Sequence, residues 1–165
     1  MDVIDNDATA DVMDVRQEEE IRICLFSIEK DIYAIPVDLL MEIIIPQKIF
    51  PIPTTPSHVL GVINLRGNIV PIVDIRPALS LPQQSVPGQT AVLKIGALII
   101  GIVVDNVSAV IQVPESSIRT MPNDAGVKHA ASGSRARFLK GIIQREDGAA
   151  ALLDIDRVID EIKLG

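Results

Sequence analysis

The chain has 165 residues, of which 48% are hydrophobic and 22% charged, so it can bury a core and is not a disordered chain. It contains one Tyr, three Phe and no Trp, which counts against single-stranded nucleic-acid binding and proline-rich peptide recognition, since both depend on aromatic surfaces. Residues 1–20 carry the whole net charge of −7, and the rest of the chain is neutral, which gives no general attraction toward DNA or anionic membranes.

The segment 1–20 is predicted to form an acidic flexible tail. An acidic N-terminus does not fit a signal peptide, and the longest apolar run, residues 95–104, is far shorter than the ~20 residues that span a bilayer. The single cysteine, Cys24, excludes an internal disulfide and is expected to be buried in its apolar run. These features predict a cytoplasmic protein without direct membrane insertion.

From Ile21 onward, short Ile- and Val-rich runs broken by Gly, Pro and Asp indicate β-strands. The predicted strands cover residues 21–28, 32–37, 41–45, two segments within 61–75, then 91–95, 98–104, 109–113, 141–144 and 149–155. The two segments within 61–75 flank Arg66-Gly67-Asn68, where Gly67-Asn68 is predicted to supply the positive φ of a tight hairpin. Apolar residues at helical spacing predict a C-terminal helix over 154–164, so the fold class is all-β with one short helix.

An internal repeat relates the two halves of the chain. Its first register places Phe26, Ile35 and Asp38 on Leu93, Ile102 and Asp105, and its second register, further along the chain, places Gly61 and Asp74 on Gly141 and Asp154. Chance self-matching of Ile- and Val-rich segments is the alternative, but the coincident Gly and Asp pairs favour a duplication. Two units of about 70 residues then imply two small barrels with a common core.

The motifs of catalysis and of metal binding are missing from the sequence. His58 and His129 are far apart, and no Cys, His or carboxylate cluster has metal-ligand spacing. Asp74 and Asp154 are better interpreted as caps of the helical turns that follow them than as a carboxylate pair. Ser132 and Ser134 share a loop with His129 but lack an orienting third group. We therefore predict a protein that is not an enzyme and holds no cofactor or metal, with a small enzyme site between the barrels as an alternative.

The segment from Arg119 to Lys140 is rich in Lys and Arg and carries a single acid, Asp124. A solvated loop that balances nearby acids is the favoured interpretation. A nucleic-acid-binding β-barrel module that uses this loop is the alternative, although aromatic residues are not interleaved with the basic ones.

Four passages of the sequence closely resemble the CheW-like family of chemotaxis coupling proteins. They are Gly61-Val62-Ile63-Asn64-Leu65-Arg66-Gly67 with Pro71-Ile72-Val73-Asp74-Ile75-Arg76, Tyr33-Ala34-Ile35-Pro36-Val37 with Glu42-Ile43, Gly101-Ile102-Val103-Val104-Asp105-Asn106-Val107, and Phe138-Leu139-Lys140-Gly141-Ile142 with Leu153-Asp154. The resemblance covers residues 20–163 in order and with few gaps.

This resemblance implies two SH3-like five-stranded β-barrel subdomains that share a core, which agrees with the repeat. It implies a CheW-like domain over residues 21–163, with intertwined subdomains at approximately 21–90 and 91–163. The implied function is a non-catalytic signalling adaptor that couples methyl-accepting chemoreceptors to the histidine kinase CheA, in bacterial chemotaxis or in twitching-type signal transduction. The implied partners are the regulatory CheW-like domain of CheA, the cytoplasmic tip of the receptors, and other CheW-like proteins in array rings, and the location is the cytoplasmic side of receptor arrays.

The same resemblance implies the partner-binding residues. Arg66 matches a family arginine linked to receptor coupling and lies at a predicted hairpin tip, although a plain exposed turn arginine is the alternative. Glu42 matches a family carboxylate, and we hypothesise that it pairs with Arg66 and orients it. Leu40 and Gly61 match positions linked to partner binding, where simple packing is an equal alternative. Asn64 and Gly67 complete the predicted site as neighbours of Arg66 in the same motif.

Overall fold

The computed structural model of the protein describes residues 19–53, 55, 58–82, 88–120 and 136–164, and the side chains among them up to Ile162. The predicted tail up to residue 18, most of the basic segment, and His129, Ser132 and Ser134 lie outside the described residues. The strands found within the described part are β1 (Glu20–Ile28), β2 (Asp31–Pro36), β3 (Leu40–Ile44), β4 (Val59–Leu65), β5 (Asn68–Val73), β6 (Gln89–Ile95), β7 (Leu98–Val104), β8 (Asn106–Pro114), β9 (Ile118–Thr120), β10 (Leu139–Arg145) and β11 (Gly148–Leu153).

One α-helix, α1 (Ile155–Leu164), ends the described chain, and three short 3-10 turns cover Val37–Leu39, Pro77–Leu79 and Glu115–Ser117. The predicted all-β fold with a short C-terminal helix is confirmed. Helix α1 forms where the apolar spacing predicted it, because that spacing places one apolar face on the core. The side chains on this face are all buried: Ile155, Val158, Ile159 and Ile162.

The strands form two sheets. The first sheet has the order β8-β1-β2-β11-β10-β9, and the second has the order β3-β6-β7-β5-β4. The second sheet has the five strands expected of an SH3-like barrel. The first has a sixth, since the short β9 pairs with β10 and covers the edge that β10 would otherwise expose.

The strand pairing supports the internal repeat. Strand β5 runs parallel to β7 with Ile72 opposite Gly101, and β11 runs parallel to β2 with Leu152 opposite Ala34. The first register of the repeat places Ala34 on Gly101, and the second places Ile72 on Leu152, so the repeat relates the two pairings to each other. Both copies also make the same backbone hydrogen bond of 2.8 Å after their second hairpin, from Asp74 N to the carbonyl of residue 58 and from Asp154 N to that of residue 138.

Each sheet contains strands from both halves of the chain. The second sheet combines β3, β4 and β5 with β6 and β7, whereas the first combines β1 and β2 with β8 to β11. The strands of the two copies are therefore exchanged between the sheets. Neither sheet is confined to one side of residue 90. The division into subdomains at about that residue stays a prediction.

A single apolar cluster between the sheets unites them with α1. It contains Cys24 and Phe26 from β1, Ile102 from β7, and the buried face of the helix. Burial of one such large aliphatic side chain contributes about 1.5–3 kcal/mol, so this cluster is the main source of cohesion between the sheets. The predicted burial of Cys24 is confirmed, and its side chain is 1% exposed.

Asp154 acts as the predicted cap, whereas Asp74 bonds the backbone just before its turn, whose N-cap is Arg76 without a side-chain capping bond. An Oδ1 atom of Asp154 accepts a hydrogen bond of 3.3 Å from the amide of Arg157 in the first turn of α1. Oδ1 of Asp74 accepts one of 3.0 Å from the amide of Arg76 ahead of the short 3-10 turn.

Candidate functional site

Arg66 lies at the tip of the hairpin between β4 and β5. Leu65 pairs with Asn68, so the turn consists of Arg66 and Gly67, whose φ angles are +51° and +87°. Two central residues with positive φ are the signature of a type I′ turn, which matches the twist of the flanking strands. The prediction that Gly67-Asn68 would supply the positive φ is therefore wrong by one residue: Asn68 begins β5 and Arg66 takes the left-handed position.

Asn64 and Gly67 hold this turn in shape. The Asn64 side chain accepts a hydrogen bond of 2.8 Å from the amide of Gly67 through Oδ1. A side-chain oxygen thus satisfies a backbone donor that the tight turn leaves unpaired. Both residues sit next to Arg66, and their visible role is to fix its backbone.

Glu42 of β3 pairs with Arg66 across the open end of the second sheet, as predicted. Nη1 of Arg66 donates to Oε2 at 3.3 Å, and Nη2 makes a second, shorter contact with Oε1. The hydrogen bond to Glu42, with its negative charge, raises the pKa of the Arg66 guanidinium, so the cation persists at any physiological pH. The Arg66 side chain is 68% exposed and that of Glu42 29%, which leaves the pair accessible.

Leu40 and Gly61 have evident packing roles. The side chain of Leu40 is half-buried against the core between the sheets. A Cβ atom on Gly61 would lie 2.3 Å from the carbonyl oxygen of Phe50, and its φ of +141° is unfavourable for any other residue. This glycine allows Phe50 to bridge to Val62 through two backbone hydrogen bonds of 2.8 and 3.0 Å.

Exposed apolar side chains occur on the strand that carries Glu42, on the connection that follows it and on the strand that follows Arg66. Of the large apolar side chains that are exposed in the described residues, all but Val110 lie on two strands of the second sheet or on the connection from β3 to β4: Met41, Ile43, Ile45, Phe50, Ile52 and Ile69. We refer to these six as the apolar surface. The repeat supplies a comparison, because Ser108, Gln112, Arg119 and Ala149 occupy the positions that correspond to Met41, Ile45, Phe50 and Ile69. Val110, the counterpart of Ile43, is also exposed, but the four positions named here carry large apolar side chains on one half only, which indicates an interaction surface.

The sequence reading overlooked this surface, although a signal was present. In β3 both faces of the strand are apolar, whereas an outward face normally carries polar residues. It also overlooked the role of Arg76, which is 1% exposed and forms ion pairs with Asp74 and Asp105. The clue available in the sequence was a basic residue two positions after the Asp that follows a buried strand.

The described residues offer little to a catalytic mechanism. No group of three His, Cys, Asp or Glu side chains within them is arranged to hold a metal ion. Burial raises the pKa of the Cys24 thiol, which keeps it protonated and unreactive. Nε2 of His58 donates to the carbonyl of Ile162 at 2.7 Å and so ties the end of α1 to the start of β4.

The described part of the basic segment is partly neutralised. Arg137 pairs with Glu161 of α1 at 2.5 Å, and its guanidinium lies 4.8 Å from the centre of the Phe138 ring. Arg119 and Lys140 lie on β9 and β10, at the edge of the first sheet. Within the described residues, no helix is long and apolar enough to cross a membrane.

A comparison with protein-family models shows to which family this chain belongs. The family model described as the CheW-like domain matches residues 22–163. The chain belongs to the CheW-like domain family.

Individual members of the CheW-like family agree with this assignment. The chain is 30% identical over 142 residues to the chemotaxis protein CheW of Bacillus subtilis, covering 85% of this chain and 87% of that protein. It is 24% identical over 153 residues to CheW of Treponema pallidum, covering 89% and 86%. The crystal structure of the scaffolding protein TtCheW from Thermoanaerobacter tengcongensis matches with a TM-score of 0.70 and 26% identity, covering 82% and 84%.

These relatives show that the chain is a chemotaxis coupling adaptor, as the sequence predicted. They give no support to the nucleic-acid-binding alternative. They also confirm the fold, since the two sheets and the terminal helix match a CheW scaffold over most of both chains.

Proposed function

We propose that this CheW-like protein couples the cytoplasmic tip of methyl-accepting chemoreceptors to the regulatory domain of the histidine kinase CheA, without any catalytic step. The observation that carries the proposal is the Arg66–Glu42 pair. It presents a fixed cation on a rigid hairpin beside exposed apolar side chains, on one half of a duplicated fold.

The receptor tip is proposed to bind at Arg66 and the apolar surface. A helical hairpin offers an apolar stripe along one face and polar side chains at its margins, which is the pattern that an apolar groove with a charged rim recognises. Ile43 and Ile69 are 39% and 66% exposed, so they can be buried by such a helix. Arg66 would then contact a carboxylate or a carbonyl group of the receptor.

Glu42 is proposed to position Arg66 for this contact. An exposed ion pair contributes only about 0–1 kcal/mol to stability, so stability does not explain its place in the site. Restriction of a flexible arginine before binding lowers the entropic cost of the complex. The Asn64 side chain is proposed to restrict Arg66 indirectly, because it accepts a hydrogen bond of 2.8 Å from the amide of Gly67 and so fixes the turn.

The kinase regulatory domain is proposed to dock through the ends of the barrels, and related CheW-like domains could extend such contacts into rings. Regulation then requires that the adaptor bind two kinase states with different affinity, which shifts their populations without chemistry. Its place would be the cytoplasmic side of membrane receptor arrays.

The test is to measure binding of the full chain to a receptor-tip fragment and to the CheA regulatory domain from the same organism. We expect Arg66→Ala to weaken receptor binding about tenfold or more and Glu42→Ala to weaken it less, because the charge remains but its orientation is lost. Arg157→Ala is the matched control: its side chain is also exposed, at 60%, and pairs with Asp154.

Equal losses in Arg66→Ala and Arg157→Ala would reduce the effect to general charge and contradict the site. Binding to the kinase domain alone would indicate a scaffold without receptor contact. Binding to neither fragment would leave the family fold without the proposed partners.

A further inference from the structure

The chain passes between the two sheets at two corresponding places. The first crossover is the 3-10 turn Val37–Leu39, which leads from β2 into β3. The second is Asp105, which leads from β7 into β8. The first register of the repeat places Asp38 of the first crossover on Asp105 of the second.

The second crossover is held by several bonds. The amide of Asp105 donates to the carbonyl of Ser27 at 2.9 Å, and its Oδ2 accepts from the amide of Glu29 at 2.6 Å. Its Oδ1 accepts from Nη2 of the buried Arg76. One residue thus joins the β1–β2 hairpin of the first sheet to the end of β5 in the second.

In the described part of the chain, the first crossover has no such polar bonds, and its Leu39 is held by packing against the core between the sheets. Asp38 is exposed, and within the described residues it has no hydrogen-bond or ion-pair partner. The position that corresponds to Arg76 is Asp156, so the repeat supplies an acid where the other half has the arginine.

The strand that follows the first crossover is also paired over fewer residues than the strand that follows the second. Strand β8 pairs with β1 from Glu20 to Ser27, whereas β3 pairs with β6 only from Leu40 to Ile44. A short edge strand after an untied turn opens at a lower free energy than a long strand after a tied one. Beyond its pairing with β6, β3 is held by Leu40 against the core between the sheets and by Ile44 in the core of the second sheet. The Glu42–Arg66 pair adds an exposed contact.

We propose that β3 and the turn Val37–Leu39 form a hinged arm, which opens from β6 while Arg76 and Asp105 keep β8 fixed, and that a bound receptor tip closes it. The second part rests on the proposed function. The arm carries Glu42, Met41 and Ile43, so its opening removes Glu42 from Arg66 and disperses the apolar surface. A partner that needs both binds the closed arm and shifts the equilibrium toward it.

The test is native-state hydrogen exchange of the full chain, followed on peptides that cover β3 and β8. In the free protein we expect the amides of β3 to exchange at least about tenfold faster than those of β8, since local opening free energies differ between elements. Asp105→Asn should accelerate exchange at the start of β8, and the matched variant Asp38→Asn should change neither strand. A saturating receptor-tip fragment should slow β3 about tenfold or more and leave β8 unchanged.

Similar exchange of β3 and β8 in the free wild-type protein overturns the arm, whatever the partner does. Fast exchange of β3 that a bound receptor tip does not slow, with binding shown independently by titration, overturns the coupling. Failure of the receptor tip to bind at all overturns the proposed function and with it the coupling, whereas the exchange of the free protein still decides whether the arm exists.

Discussion

The guanidinium of Arg76 is buried against the carboxylate of Asp105, where the chain leaves one sheet for the other. Arg76 is 1% exposed, and its Nη1 also lies 3.5 Å from Oδ1 of Asp74. Its Nε is buried and has no hydrogen-bond partner among the described residues. A buried charge of this kind is tolerated only when opposite charges face it. The pair therefore ties the two sheets together, and it does so in one half of the repeat only.

Removal of Arg76 should destabilise the fold severely. Arg76→Met keeps much of the side-chain volume but leaves the carboxylates of Asp74 and Asp105 without their cation. Loss of one partner from a buried pair typically costs about 3–5 kcal/mol. Urea unfolding followed by circular dichroism measures this cost. Arg157→Met is the control, and its exposed pair with Asp154 should change the free energy of unfolding by less than about 1 kcal/mol. A loss of the same small size in Arg76→Met would contradict the role of the buried pair.

Arg66 should lower the stability of the fold and strengthen receptor binding. Its φ of +51° is left-handed, which costs a residue other than Gly about 1–2 kcal/mol, whereas Asn tolerates this conformation and is favoured in type I′ turns. We expect Arg66→Asn to raise the unfolding free energy by about 0.5–1 kcal/mol and to weaken receptor binding.

The matched control for this variant is Glu29→Asn. Glu29 has a φ of +58° in the first hairpin turn, so the change should give a similar gain in stability without loss of binding. Thermal unfolding and titration with the receptor-tip fragment measure both quantities. Unchanged binding in Arg66→Asn would show that the arginine is a plain turn residue.

Gly61 should resist substitution because of its close contact with Phe50. In Gly61→Ala the new methyl group would fall 2.3 Å from the carbonyl oxygen of Phe50, so the bridge to Val62 must shift. Overpacking of this kind costs about 1–3 kcal/mol, and the displaced Phe50 should also weaken partner binding.

Gly67→Ala separates the contact from the backbone conformation. Its φ is +87° but no atom lies within 4 Å of the added Cβ, so only the conformational cost of about 1–2 kcal/mol is expected. Chemical denaturation gives both losses. An equal loss of unfolding free energy in Gly61→Ala and Gly67→Ala, with the environment of Phe50 unchanged in Gly61→Ala, would argue against the clash.

Cys24 should make the protein sensitive to alkaline pH. Burial raises the pKa of the thiol above its ordinary value of 9.0, so the folded state keeps a proton that the unfolded state loses. The thiol has no effect well below pH 9, and stability should fall as pH rises above it, by at most about 1.4 kcal/mol per pH unit. Unfolding curves from pH 7 to pH 10.5 measure the decline. Cys24→Ala lacks the thiol, so the two curves should converge at high pH, and parallel curves would contradict the prediction.

The sequence predicted the local structure of this protein well. The strands other than β9, the C-terminal helix with Ile159 and Ile162 on its buried face, and the cap at Asp154 follow from patterns within a few residues. No strand was predicted at β9, where the sequence lacks a long apolar run. The Glu42–Arg66 pair was also predicted, but through resemblance to a family rather than from spacing. The hairpin at Arg66 was placed correctly, and the error of one residue in its turn arose because Asn68 is a better left-handed residue than Arg66.

Only the tertiary structure decided how the two halves combine. Strand β2 pairs with β11 and β5 with β7, and both pairings are parallel and join segments distant in sequence, so no turn sets their register. This exchange buries Arg76 opposite Asp105 and leaves Asp38 in solvent, although the sequence presents the two aspartates as equals. Periodicity and turn residues act over short distances and therefore determine the elements by themselves. The burial of charge and the exposure of apolar side chains depend on which distant strands meet, and the assembled sheets determine that.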